Sequence, residues 1–70
     1  MRKKFYKLFL AMLDNKLLLY DKLFIVSYNI KVKKYVFWYI NENGIPKFFD
    51  SCETKDTMEF KWNILMNKRR

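Results

Sequence analysis

Apolar and polar side chains alternate along residues 23–32. The apolar positions of one parity are Phe24, Val26, Tyr28, Ile30 and Val32, and the other parity carries Ser27, Asn29 and Lys31. A period of two is typical of a strand that buries one face and leaves the other polar. The alternation therefore predicts a half-buried β-strand over residues 23–32.

A second strand is predicted over residues 35–41, where an apolar run follows two lysines. If Lys33 and Lys34 turn the chain, Tyr28 lies opposite Tyr39 and the apolar residues of both strands face each other. This register predicts an antiparallel hairpin.

A third strand over residues 45–50 follows from the Asn-Gly turn signal at positions 43–44, because both residues tolerate positive φ. A tight turn at this point would pair Trp38 with Phe49. Pro46 has no N–H to donate to a neighbouring strand, which predicts that the third strand lies at an edge of the sheet.

The segments on either side of this sheet have helical features. Apolar residues at helical spacing predict an N-terminal helix over residues 5–13. The alternative is a strand that turns at Asp14 and Asn15 into residues 17–20. In residues 57–66 the spacing of the apolar side chains fits either a strand or a helix. Asp56 with Glu59 three residues later resembles a capping box, which favours a C-terminal helix.

These elements predict one α+β domain over residues 1–70, with a small antiparallel sheet of about three strands and a helix at each end. An all-β small barrel or sheet is the alternative. The chain is 51% hydrophobic and 20% aromatic, which is more apolar surface than a compact monomer of 70 residues easily hides. We therefore expect either a homo-oligomer or an apolar docking face for a partner.

The formal net charge of +8 is concentrated in the first part of the chain. Residues 1–41 carry nine Lys or Arg against two acids, whereas residues 42–70 carry six against five. A strong positive charge favours phosphate backbones or anionic membrane surfaces. It predicts nucleic acid or a nucleoprotein complex as partner.

The candidate binding residues are lysines beside an aromatic run, two rings and the basic termini. Trp38 and Phe49 would lie on the polar face of the sheet with Lys47 beside them, where unpaired bases could stack on the rings. The whole set is Lys3, Lys4, Lys7, Lys31, Lys33, Lys34, Trp38, Lys47, Phe49, Arg69 and Arg70. The alternative is that the N-terminal helix covers this face and that Trp38 belongs to the core.

The composition argues against catalysis. The chain has no histidine to activate Cys52 or a hydroxyl, no set of residues for a zinc site, and Gly44 as its single glycine. Acids recur at every third position from Asp50 to Glu59, and we interpret them as an acidic loop that leads into a helix. We predict a non-enzymatic protein without metal or cofactor, and the lone cysteine indicates a cytoplasmic location.

The sequence thus favours a small basic protein that binds RNA or another single strand. The alternative is an anti-CRISPR-like inhibitor, encoded by a phage or mobile element, of a host defence or nucleic-acid-processing complex. In that case the lysines would meet an acidic patch on a host protein in the host cytoplasm. A cationic N-terminus that lies on a membrane surface is a third alternative, whereas no apolar run reaches the length of a transmembrane helix.

Overall fold

The computed structural model describes residues 13–68 as a four-stranded antiparallel sheet followed by one helix. The elements are β1 (Asn15–Asp21), β2 (Phe24–Asn29), β3 (Lys34–Ile40), β4 (Pro46–Cys52) and α1 (Lys55–Lys68). The strands lie in the order β1-β2-β3-β4, so each pairs with its neighbour in sequence. An antiparallel sheet with a C-terminal helix is therefore confirmed, while the predicted N-terminal helix falls outside the described residues.

The expectation of about three strands was wrong, because β1 is a fourth strand in the segment that the sequence offered only as an alternative. Its three consecutive leucines hide the period of two by which a strand is recognised. β1 contains a β-bulge at these leucines, because its register with β2 shifts between Leu17 and Leu19. Leu17 lies opposite Ser27, and Leu19 lies opposite Val26 on the other face.

The hairpin of β2 and β3 turns earlier than predicted, at residues 30–33. The Asn29 side-chain oxygen accepts hydrogen bonds from the N–H groups of Lys31 (3.0 Å) and Val32 (3.1 Å), and Lys33 adopts a left-handed φ of 57°. Tyr28 therefore pairs with Tyr35 instead of Tyr39. The register shifts by an even number of residues, so each side chain of β2 and β3 still lies on its predicted face.

The predicted turn before β4 is present, with Gly44 at a φ of 77°. The Asn41 side-chain oxygen accepts from the N–H groups of Asn43 (2.9 Å) and Ile45 (3.0 Å), which closes a longer loop than the expected tight turn. As predicted, Pro46 lies on an edge strand, because β4 is the last strand of the sheet that residues 13–68 form.

The longer loop before β4 overturns the predicted pairing of Trp38 with Phe49, because it shifts the register by one residue from the turn onward. Trp38 pairs with Phe48, and Phe37 pairs with Asp50, so Phe49 is the additional residue between two regular pairs. Phe48 therefore shares the face of Trp38, and Phe49, as the next residue of the strand, faces the other side. Phe49 and Trp38 are consequently on opposite faces of the sheet. The β-bulge in β4 affects only the residues that follow, and it places Asp50 opposite Phe37.

Helix α1 covers the face of the sheet that carries Val26 and Phe37, which we call the helix face. Val26 (0% exposed), Phe37 (1%) and Met58 of α1 (4%) form the core. The helix begins beside Thr54, whose hydroxyl accepts from the N–H of Thr57 at 3.2 Å, so the N-cap precedes the predicted one at Asp56. The threonine hydroxyl thus satisfies one of the unpaired N–H groups at the start of α1.

Candidate nucleic-acid interface

Three candidate lysines are exposed: Lys31 and Lys33 in the β2–β3 turn, and Lys34 at the start of β3. The Lys31 ammonium lies 3.5 Å from the Asp14 carboxylate, an exposed ion pair. The other two lysines form no ion pair within residues 13–68. Five candidate residues fall outside the described part of the chain: Lys3, Lys4, Lys7, Arg69 and Arg70.

Trp38 is held by hydrogen bonds on the face away from α1, which we call the opposite face. Its indole N–H donates to the hydroxyl of Ser27 at 2.9 Å, and that hydroxyl donates to the side-chain oxygen of Asn15 at 2.9 Å. Ser27 is fully buried and Trp38 is half-buried. This chain of hydrogen bonds links β1, β2 and β3, so the Trp38 ring is anchored in the sheet rather than presented as an open platform.

Phe49 is instead the centre of an aromatic cluster on the helix face. Its ring centroid lies 6.0 Å from that of Phe24, 6.0 Å from that of Phe37 and 6.2 Å from that of Tyr39. Two of these side chains remain open to solvent, Phe49 at 42% and Tyr39 at 41% exposed. Tyr39 and Phe49 therefore form an exposed pair of rings beside the helix.

Lys47 completes this cluster, since it pairs with Tyr39 and precedes Phe49 by two residues on the same face of β4. We call the set Phe24, Tyr39, Lys47 and Phe49 the Phe49 surface. The predicted neighbourhood of Lys47 and Phe49 is thus present, but Tyr39 takes the place that was expected for Trp38. The sequence predicted Tyr39 opposite Tyr28 on the apolar face, away from Trp38 and Phe49.

A groove of about 230 Å³ continues from Phe49 along the boundary between β4 and α1. It is lined by Phe37, Phe49, Asp50, Lys61, Ile64, Leu65 and Lys68. Lys68 is exposed and, like Lys47, has no carboxylate within ion-pair distance among residues 13–68. The Phe49 surface and this groove therefore combine two open rings with two uncompensated ammonium groups.

Lys61 contributes less free charge to the groove than Lys68, because it is paired. Its ammonium donates to the Asp50 carboxylate at 2.8 Å. The hydrogen bond from Lys61 lowers the pKa of Asp50, and the same bond raises the pKa of Lys61. Both groups stay ionised near neutral pH, so the pair is locally neutral and fixes the side of α1 that faces β4.

The described residues do not assemble a metal site or an activated nucleophile. No group of three His, Cys, Asp or Glu side chains within residues 13–68 is arranged to hold a metal ion. Cys52 is half-buried, and burial raises the pKa of its thiol. None of the helices in this range is long and apolar enough to cross a membrane.

The positive charge is unevenly divided between the described body and the ends. Residues 13–68 contain nine lysines and seven acids, hence +2, whereas six Lys or Arg residues lie outside this range. Two of those six, Arg69 and Arg70, follow directly after Lys68 in the sequence. Within residues 13–68, the Phe49 surface is one place where exposed rings and an unpaired lysine lie together.

Comparisons with known proteins give no family to which the chain can be assigned: no family model, no curated protein and no solved structure matches it. The candidate site accordingly depends on its own geometry. Sequence reasoning missed Phe24, Tyr39 and Lys68 as members of the site. The adjacent rings Phe48 and Phe49 were the available signal. Neighbouring residues of a strand face opposite sides, so one of these two rings is expected on the face that carries Tyr39.

Proposed function

We propose that this chain is a non-enzymatic protein that binds single-stranded nucleic acid on the Phe49 surface. The observation that supports the proposal is the exposure of Tyr39 and Phe49, with ring centroids 6.2 Å apart, beside Lys47 on one face of the sheet. Single-strand binders combine rings on which bases stack with cations that follow the backbone. Both parts are present here within one patch.

The rings favour unpaired bases as ligand. Stacking on an aromatic side chain needs a base that is free of its duplex neighbours, and such stacking tolerates any base identity. Lys47 and Lys68 lie beside the rings or the adjoining groove, where they would contact phosphate oxygens. Lys31, Lys33 and Lys34 are exposed at the β2–β3 connection and would extend the path of the nucleic-acid backbone.

The first experiment measures the affinity of the full chain for fluorescent oligo-U RNA and oligo-dT DNA by anisotropy. Phe49→Ala should weaken binding about 5- to 150-fold, which corresponds to roughly 1–3 kcal/mol for one lost stacking contact. The matched control is Phe48→Ala, because Phe48 is the neighbouring exposed phenylalanine on the opposite face. Equal losses in the two variants, or no binding by the unchanged protein at low salt, would contradict the proposal.

Salt dependence supplies an independent measurement. If about five phosphates are neutralised, the slope of log K against log salt should be near −3.5 for a single strand. Lys47→Ala should reduce the magnitude of this slope by about 0.7, because one phosphate contact is lost. A binding constant that does not change with salt would exclude backbone contacts as the source of affinity.

A second candidate function is an inhibitor that docks on a protein of a host defence or nucleic-acid-processing complex. The supporting observation is the exposure of large apolar side chains away from the Phe49 surface, including Phe48 (59%) on the opposite face and Phe60 (66%) on α1. Such residues are suited to anchor a protein interface. Affinity for a host protein that is lost in Phe48→Ala but kept in Phe49→Ala, without binding to free nucleic acid, would favour this candidate.

A further inference from the structure

Strand β1 has the properties of a strand that pairs with another chain. Within residues 13–68 it is bonded only to β2, so its outer edge carries no strand in this range. Three of its apolar side chains are markedly exposed: Leu17 (54%), Leu18 (38%) and Tyr20 (58%). Edge strands of soluble proteins are usually protected by proline, by lysine within the strand or by a cover. β1 has no proline, and its charged residues lie only near its two ends.

The bulge gives β1 an unusual symmetry. Leu17 pairs with Ser27 and Tyr20 pairs with Ile25, so both side chains lie on the opposite face. Lys16 and Asp21 pair with Tyr28 and Phe24, which places both on the helix face. Leu18 lines a groove with Met58 and Trp62 of α1, so it shares the helix face with Leu19. The order of faces is therefore the same when β1 is read in either direction between residues 16 and 21.

An antiparallel pair of two β1 strands, centred between residues 18 and 19, consequently brings matching faces together. Leu17 lies opposite Tyr20 of the second copy on one face, and Leu18 lies opposite Leu19 of the second copy on the other. Without the bulge, residues at these positions would point to different faces and this register would be impossible. The irregularity that breaks the pairing with β2 thus makes the edge self-complementary.

The charges follow the same symmetry. In this register Lys16 lies opposite Asp21 of the second copy, and the twofold axis creates the pair twice. Asp21 already has an interaction within its own chain, but a carboxylate has acceptor positions for more than one donor. Opposite charges at both ends fix the register and disfavour a shifted pairing.

We propose that β1 is a dimerisation edge whose partner is a second copy of this chain. The two sheets join through β1 into a continuous eight-stranded sheet with a twofold axis perpendicular to it, so both α1 helices lie on the same side. The Phe49 surfaces remain near the outer strands of the joined sheet. The dimer is therefore independent of the proposed function, and either can fail without the other.

The test is sedimentation equilibrium of the full chain across the micromolar concentration range. The unchanged protein should be in monomer–dimer equilibrium. Leu17→Ala should raise the dimer dissociation constant about 10- to 100-fold, because two partly exposed leucine side chains are lost from each dimer. The matched control is Leu23→Ala, since Leu23 is 49% exposed but lies in the β1–β2 turn. Circular dichroism verifies that both variants remain folded.

A charge exchange tests the register. Lys16→Asp should weaken the dimer by placing two acids opposite each other, and the double variant with Asp21→Lys should restore it with the charges reversed. Restoration supports the proposed pairing. A monomer at every concentration overturns the proposal, as does a dimer that Leu17→Ala and Leu23→Ala affect equally or that the charge exchange fails to restore.

Discussion

The buried hydroxyl of Ser27 should be worth more to stability than its size suggests. Ser27 is 0% exposed, and its oxygen accepts from the Trp38 indole N–H and donates to the Asn15 side chain, both at 2.9 Å. Ser27→Ala removes both hydrogen bonds at once. It also leaves a half-buried indole N–H and a half-buried amide oxygen without this partner, and such groups are costly to leave unsatisfied.

The magnitude follows from these two bonds. Each contributes about 0.5–1.5 kcal/mol net, so Ser27→Ala should lower the free energy of unfolding by about 1–3 kcal/mol. A chain of 70 residues has a total stability of about 3.5–10 kcal/mol at the usual value per residue. In a domain of this size, each kcal/mol lowers the melting temperature by about 4–8 °C. The effect is therefore measurable and a large fraction of the total.

The assay is urea unfolding followed by far-ultraviolet circular dichroism, with Ser27→Ala, Trp38→Phe and the double variant. The double variant should cost less than the sum of the single variants, because both remove the same indole hydrogen bond. Ser51→Ala is the matched control, since Ser51 lies on the same face and its hydroxyl makes no hydrogen bond within residues 13–68. A neutral Ser27→Ala, or strictly additive variants, would refute the reasoning.

Three further changes test the packing, the cap and the ion pair of α1. Met58→Ala should lower the free energy of unfolding by about 2–5 kcal/mol in urea titration, because Met58 is 4% exposed against Val26 and Phe37. Thr54→Ala should lower the same quantity by about 1 kcal/mol through loss of the N-cap, whereas Thr54→Ser should retain it. The lowered pKa of Asp50 contributes stability above its unfolded value of 3.8, and that stability is lost as pH falls through the folded pKa. Asp50→Asn should therefore flatten the acid limb of the urea midpoint plotted against pH, and an unchanged limb would contradict the role of its bond to Lys61.

Much of the sheet was predictable because its central strands obey simple alternation. The period of two along β2 and the apolar run of β3 identify both strands and their shared face. The exact register was not predictable, because the turn depends on the Asn29 side chain capping two N–H groups and on a left-handed lysine. Lysine has no intrinsic preference for that conformation, so composition alone gave no signal.

The candidate site was only partly predictable, because the length of the loop before β4 decides which side chains of β4 face α1. The loop has three residues between Asn41 and Ile45 where a two-residue turn was expected, and a shift of one residue moves Lys47 and Phe49 to the other face of the sheet. The sequence correctly associated Lys47 with Phe49 but paired the latter with Trp38 instead of Tyr39. In β1, a bulge and three consecutive leucines together concealed the strand itself.

The meander topology has a consequence for how rapidly the chain folds. Every strand pairs with its sequence neighbour, and the connections between strands span only residues 22–23, 30–33 and 41–45. Short connections keep the entropy of loop closure small, so each hairpin can close before the next one forms. We expect single-exponential refolding in stopped-flow experiments, faster than in sandwiches and barrels of similar length that pair distant strands.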